Sequence, residues 1–209
     1  MELVCLDLEG VLVPEIWIAV SEKTGIKELR LTTRDLSDYD ELMAHRLGIL
    51  DSQNIRLKDI QEVIGELTPL EGALEFTRRL RSETQLVILS DTFEQFAAQL
   101  MRKLDLPTLF CNTLDVNEED RIIGYTLRQP DGKRKAVEAF RSMGLRVFAA
   151  GDSYNDITML QAADQGMLFR APDSIKEEFP QFRAAEDHSA LLEGIREFLF
   201  ARPVAAGKN

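Results

Sequence analysis

Residues 3–11 read Leu-Val-Cys-Leu-Asp-Leu-Glu-Gly-Val, an apolar run that ends in two acids and a glycine. Carboxylates as close in sequence as those of Asp7 and Glu9 repel unless a cation sits between them or one holds a proton. Hard oxygen ligands of this kind favour Mg²⁺. The pair is therefore a candidate active site, and it fits equally a strand-end acid capping the helix that follows; the stretch alone leaves both readings open. Two more apolar runs end in polar groups. Residues 86–89 lead into Ser90, Asp91 and Thr92, and residues 147–150 lead into Gly151 and Asp152, with Asn155 and Asp156 just behind.

The elements that must position these residues follow from the pattern. Residues 4–8, apolar apart from Asp7, read as a strand buried on both faces of a parallel sheet. In open α/β sheets ligands gather beyond the carboxyl ends of the strands, where period two puts Asp7 and Glu9 on one side and Gly10 lets the backbone turn away. The sheet pattern does not resume until Gln85; between them residues 15–23, 38–50 and 57–67 read as an inserted helical unit. The run Thr68-Pro69-Leu70-Glu71-Gly72 punctuates the return. Helices are then expected over 73–81, 93–103, 133–143, 157–163 and 188–200, and strands over 86–89, 109–114, 147–150 and 166–169. Residues 121–127 belong to a hairpin whose turn falls at 117–120, and the tail from Val204 to Asn209 frays. Alternation of this kind predicts an α/β fold, a doubly wound parallel sheet with right-handed crossovers and the first strand near its centre. The expected domains are a core of residues 1–13 and 70–209 and a small helical cap of residues 14–69 inserted after the first strand. With no assumption about chemistry, this topology brings Asp7, Ser90 and Asp152 to one rim.

At 209 residues the chain can bury a full core, and 44% hydrophobic with 29% charged residues is an ordinary globular composition. No apolar run approaches bilayer length and Met1 leads straight into the first strand, so no membrane partner and a cytoplasmic location are expected. Cys5 and Cys111 lie in apolar runs and read as reduced core residues. A net charge of -11 argues against nucleic acid as a partner, yet leaves room for a small anionic substrate held by a few placed cations.

Asp7-Leu8-Glu9-Gly10, Ser90, Lys133 at a helix start, and Gly151-Asp152 with Asn155-Asp156 resemble, in order, the four motifs of the haloacid-dehalogenase superfamily of phosphoryl-transfer enzymes. The likeness covers most of the chain and implies that family's Rossmann-like core. The helical insertion resembles the cap of the phosphoserine phosphatase branch, in which Glu15 and Arg46 fall where that branch binds the amino-acid part of its substrate. Within the branch the chain is similar to bifunctional members that also use homoserine, whose first motif carries glutamate where most relatives have aspartate. The resemblance implies Mg²⁺-dependent hydrolysis of L-phosphoserine through an aspartyl-phosphate, with L-homoserine as a second acceptor. Asp7 is then the nucleophile. Asp7, Asp152 and the backbone carbonyl of Glu9 hold the metal, and the Glu9 carboxyl protonates the leaving alkoxide and deprotonates the acceptor. Lys133, Ser90, Asn155 and the backbone N–H groups of Asp91 and Thr92, taken to start a helix, hold the phosphoryl oxygens.

Plainer roles stand beside these. Lys133 could be a solvated first-turn lysine, with Lys135 close by; Asp156 could cap a helix, bind the metal or orient Asp152; Arg46 could be a surface residue and Glu15 an acid answering a helix dipole. His45 and His188 receive no catalytic role, and Trp17 is expected to pack the cap. Two other functions fit the same rim, a phosphatase for another small phosphomonoester and a non-enzymatic phospho-acceptor switch like a response-regulator receiver. The long insertion counts against the switch, which needs no lid. Oligomeric state stays open between monomer and homodimer.

Overall fold

The apolar segment at the amino terminus forms β1 (Glu2–Leu6), and every other strand is ordered around it in this computed structural model, which describes residues 1–32, 35–36 and 38–201. The expected fraying of residues 204–209 lies outside the described residues. After β1 come α1 (Ile16–Thr24), a short 3₁₀ helix (Lys27–Arg30), α2 (Tyr39–Ser52), α3 (Leu57–Glu66) and α4 (Ala73–Glu83). Next are β2 (Gln85–Phe93), α5 (Glu94–Lys103), β3 (Thr108–Val116), β4 (Ile122–Thr126) and α6 (Gly132–Ser142). The chain continues through β5 (Arg146–Gly151), a 3₁₀ turn (Tyr154–Asp156), α7 (Ile157–Ala162), β6 (Gln165–Phe169), α8 (Asp173–Glu178), β7 (Arg183–Ala185) and α9 (His188–Phe200).

The sheet has the order β4-β3-β2-β1-β5-β6-β7, with only the β3–β4 pair antiparallel. In β1, Cys5 pairs with Val87 on one side and Ala149 on the other, so the strand is enclosed laterally as well as on both faces. Alternation sorts its side chains. Val4 and Leu6 join a cluster with residues of α1, α3, α4, α5 and α9, among them Trp17, Ile60, Leu80, Phe96 and Leu191. Leu3 and Cys5 face Val137 of α6, Leu160 of α7 and Ile175 of α8. Helices on both faces of a mostly parallel sheet make the fold doubly wound.

Several local expectations are corrected. Sheet pairing of β1 stops at Leu6, because residues 7–13 turn back on themselves: Leu12 and Val13 N–H both donate to the Leu8 carbonyl, and Gly10 takes φ +75°. Asp7 and Glu9 thus sit on a turn, where strand periodicity does not govern direction. β7 and α8 were not expected, since residues 183–185 read Arg-Ala-Ala with two of the three exposed, and α8 is only six residues long. Cys111 is half-buried, not a core residue like Cys5, because β3 lies one strand from the sheet edge.

The two connections that lead into and out of the inserted helices meet at His188, the first residue of α9. Its Nε2 lies 2.8 Å from the Val11 carbonyl and its Nδ1 3.2 Å from that of Glu71. The ring is stacked between Phe76 and Phe169, with centroids 5.0 and 4.8 Å away. The Leu70 N–H donates to the Leu12 carbonyl at 2.9 Å and ties the same two segments directly. A neutral imidazole has one donor for these two carbonyls.

Burial holds the His188 pKa below its ordinary value, assisted by Arg170 and opposed by the Val11 and Glu71 carbonyls and by Asp187. The unfolded chain then takes up a proton near pH ~6.5 before the folded one does, so this residue's stability contribution is present above that pH and lost as pH falls toward the lowered folded value. Urea midpoints of wild-type and His188→Gln protein at pH ~7.5 and ~5.5 check this: the wild-type advantage is expected to shrink at the lower pH.

Candidate active site

The carboxyl ends of β1, β2 and β5 and the start of α6 converge as the topology requires. Asp7, one residue past β1, is 4% exposed, and its Oδ1 accepts from the Leu8 N–H at 2.8 Å and lies 2.9 Å from Lys133 Nζ. Lys133 reaches the same point from the first turn of α6, where the helix dipole disfavours a cation. Its ammonium is held by carboxylates instead: Asp156 Oδ1 at 2.7 Å, Asp7 Oδ1 at 2.9 Å and Asp91 Oδ2 at 3.5 Å. Burial alone would lower the Lys133 pKa, but Asp156, Asp7 and Asp91 more than reverse this and keep it charged. Of the two neighbouring lysines, Lys133 is therefore the one that belongs to the site.

Asp156 is fully buried and has both oxygens engaged. Oδ1 takes the Lys133 ammonium, and Oδ2 accepts from the backbone N–H groups of Asp152 at 3.0 Å and Ser153 at 3.2 Å. It shapes the loop that carries Asp152. Two glycines make room for these acids: a Cβ on Gly10 would collide with the Asp152 carboxylate, and one on Gly151 would collide with that of Asp156.

Among the described residues, Asp7, Asp152 and Asp156 form one buried group whose ligand atoms all lie within 4.8 Å of one another. Burial, then Asp156, then Asp152 push the Asp7 pKa well above the carboxylate range, with Lys133 opposing. Three buried carboxylates, two of them on the one Lys133 ammonium, are an excess of negative charge with hard oxygen donors, which fits a divalent cation such as Mg²⁺. The Glu9 carboxyl is not in this group. Its Oε2 accepts from the Ile16 N–H at the start of α1 at 2.8 Å, with the Thr92 side chain close by. Burial raises its pKa, against the pull of the Ile16 amide, of Thr92 and of the Arg46 and Lys133 charges.

Asp7, Glu9, Glu15, Arg46, Ser90, Asp91, Lys133 and Asn155 line one cavity of about 90 Å³, with Trp17, Tyr39 and Thr92. Asp152 lies behind Gly10 at its edge. Arg46 is 6% exposed and not a surface residue: Nη2 donates to the Leu31 carbonyl at 2.8 Å, and the guanidinium stacks on Trp17, 4.5 Å from the ring centroid. Its Nε is buried and has no hydrogen-bond partner among the described residues. Burial lowers its pKa to about 10, with Glu9, Tyr39 and Glu15 pulling the other way. Glu15 precedes α1 at its N-cap position without a side-chain capping bond, at the end of the helix where an acid answers the dipole. Trp17 packs edge-on against Phe96 of α5, 5.6 Å away, and so joins the inserted helices to the core as well as packing among them.

The expected phosphate cradle at residues 90–92 is corrected in one respect. β2 continues to Phe93, so Asp91 and Thr92 are extended and not at a helix start, and the Thr92 N–H already donates to Ser90 Oγ at 3.2 Å. Asn155 Nδ2 donates to Asp91 Oδ2 at 2.9 Å, crossing from the β5 loop to β2. Tyr39 and the Thr92 side chain were missed by sequence reasoning, because each acts through a partner far away in the chain.

A model of the haloacid dehalogenase-like hydrolase family matches residues 1–164. The chain is 58% identical to phosphoserine phosphatase ThrH of Pseudomonas aeruginosa, over 96% of this chain and 97% of that one. It is 59% identical to a phosphoserine phosphatase of Pseudomonas syringae pv. tomato, over 96% of this chain and 84% of that one. In fold it is similar to a structure described as a phospho-aspartyl intermediate analogue of phosphoserine phosphatase, at TM-score 0.76 and 21% identity, covering 94% of this chain and 98% of that one. No helix among the described residues is long and apolar enough to cross a membrane. With its motifs at the strand ends of a doubly wound sheet and this match over most of its length, the chain belongs to the haloacid dehalogenase-like hydrolase family.

Proposed function

We propose that the protein is a Mg²⁺-dependent phosphatase that hydrolyses L-phosphoserine through an aspartyl-phosphate on Asp7, with L-homoserine able to replace water as acceptor. Residues 14–69 act as a cap over a core of residues 1–13 and 70–209. The observation that carries the reading is the presence of two unlike groups in one cavity: Asp7 with Lys133, and buried Arg46, whose Nε has no hydrogen-bond partner among the described residues. The first suits a phosphate, the second a carboxylate, and Glu15 beside Arg46 suits an ammonium. The two Pseudomonas relatives named phosphoserine phosphatase support it.

In this reading the Asp7 carboxylate attacks phosphorus, the phosphorus–oxygen bond to serine breaks, and Glu9 gives its proton to the departing alkoxide. Glu9 then takes a proton from water, which attacks phosphorus and returns Asp7 as a free carboxylate with inorganic phosphate. A Glu9 carboxyl whose pKa is raised by burial suits a group that must carry a proton between these steps. Lys133, Ser90 and Asn155 hold the phosphoryl oxygens. Asp7, Asp152 and the Glu9 carbonyl would hold Mg²⁺, with Asp156 orienting Asp152; when bound, the ion neutralises charge between nucleophile and phosphate. A hydroxyl on an amino acid held by the same Glu15 and Arg46 competes with water by proximity.

The deciding experiment incubates the protein with L-phosphoserine and Mg²⁺, with and without L-homoserine, and measures free phosphate against phosphohomoserine. Phosphate release with diversion to phosphohomoserine is expected, and release with none leaves a phosphatase alone. Asp7→Asn is expected to abolish turnover with circular dichroism unchanged, and a chelator to do the same to wild-type protein until Mg²⁺ is restored. Arg46→Ala is expected to lower kcat/KM for phosphoserine by about tenfold to a hundredfold, as for loss of hydrogen bonds to a charged group. O-phosphoethanolamine, which lacks the carboxylate, should lose far less; equal losses would assign Arg46 to folding. Glu9→Asp is expected to change the ratio of transfer to hydrolysis, read from both products of one reaction, because the shorter side chain places the proton carrier differently.

A further inference from the structure

Tyr39 begins α2, and its hydroxyl donates to the backbone carbonyl of Asp91, 3.2 Å away and 52 positions on in the chain. One partner belongs to the inserted helices and the other to the carboxyl end of β2. The Asp91 carbonyl also accepts from Asn112 Nδ2 at 3.1 Å, so it has a second donor on the sheet side. Tyr125 of β4 packs edge-on against the Tyr39 ring, with centroids 5.7 Å apart and planes at 85°. The Tyr125 hydroxyl in turn bonds the carboxylate of Asp40. Two consecutive residues of α2 therefore meet the core on this side of the site, far in sequence from the connections at His188.

What lies on each side of Tyr39 gives the contact its meaning. Tyr39, Asp91, Lys133 and Asn155 line both the inner cavity of about 90 Å³ and a second one of about 410 Å³. Leu127, Gln129 and Tyr154 are among the further residues of the second, which lies toward the β3–β4 hairpin and α6. The four shared residues form the wall between the two spaces. Part of that wall is the Asn155 to Asp91 side-chain bond of 2.9 Å, made between core residues. Tyr39 is the member that the inserted helices carry.

We propose that Tyr39 is a positioning residue whose hydroxyl, bonded to the Asp91 carbonyl, latches the cap over the site, and whose release joins the outer cavity to the inner one for passage of a small phosphomonoester and its products. This rests on the phosphoserine reading for its kinetic consequence; the latch itself is a property of the folded chain. A single neutral hydrogen bond shifts an equilibrium by about threefold to tenfold, which holds the cap closed and still lets it release in each turnover.

The chain contains one tryptophan, Trp17, on α1 at the junction of cap and core, with Phe96 edge-on at 5.6 Å. Its fluorescence therefore reports closure without any substrate. The test compares acrylamide quenching of Trp17 in wild-type, Tyr39→Phe and Tyr39→Ala protein, at a temperature below unfolding of all three. Quenching is expected to rise in Tyr39→Phe, which keeps the ring and loses the hydroxyl, and to rise further in Tyr39→Ala. With phosphoserine and Mg²⁺, KM of Tyr39→Phe is expected to rise by up to about tenfold, more than kcat falls, because substrate must draw back a closed state that is less populated. Unchanged quenching in both variants overturns the latch whether or not phosphoserine is turned over. Increased quenching with unchanged KM overturns its place in the reaction. Absence of turnover in the wild-type protein counts against the proposed activity and leaves the quenching comparison decisive for the latch.

Discussion

The site is organised by the ammonium of Lys133, which sits 2.7 Å from Asp156 and 2.9 Å from Asp7 with almost no access to water. Removing one member of a buried ion pair typically costs about 3–5 kcal/mol, because the remaining charge stays buried without its counterpart. Here three acids share one base, so the shape of the site is a compromise among charges that cannot all be neutralised by protein groups. That compromise dictates the backbone around it. Gly10 and Gly151 are where they are because acids occupy the space a side chain would need, and the turn at Ser153 is held by the same Asp156 that holds Lys133.

Around this cluster the site draws on the central sheet and on the inserted helices, which share one hydrophobic cluster. β1 is paired on both edges and covered on both faces, so Asp7 has little freedom. Arg46 and Glu15 come from helices attached to the core at several places: the carbonyl contacts at His188, the edge of Trp17 on Phe96, the contacts at the start of α2, and the side of α3 that packs on α5, where the Gln61 and Gln99 side chains donate to backbone carbonyls. The two sources suit the chemistry proposed for the site. Groups around the phosphorus need fixed geometry, whereas groups that choose the substrate must admit it first.

The sheet was legible in the sequence because its central strands are continuous apolar runs, and runs such as 86–89 and 147–150 have few other ways to be buried. Polar residues at the ends of those runs then met at one rim by topology alone. What escaped did so for local reasons. β7 carries Arg-Ala-Ala and has no apolar signature. The apolar pattern of residues 4–8 continues past the last paired residue, Leu6, because Leu8 is buried by a turn and not by strand pairing. Arg46 lies in a mixed stretch, Ala44-His45-Arg46-Leu47, whose composition does not say that the guanidinium is covered by Trp17. The Thr92 amide is spent on Ser90, which only the extended course of β2 reveals.

The bond between Glu9 and the Ile16 amide gives the acid an allegiance its position in the chain does not suggest. Glu9 stands on the turn after the central strand, yet its carboxylate caps the first helix of the insertion. Any outward displacement of α1 would take that amide away from the Glu9 carboxylate. In the proposed function, the residue that handles the proton would have this donor only while α1 is seated. Under that proposal, opening at α1 would coincide with loss of a fixed position for the Glu9 carboxylate, so that bond ties the placement of the proton carrier to the seating of the inserted helices.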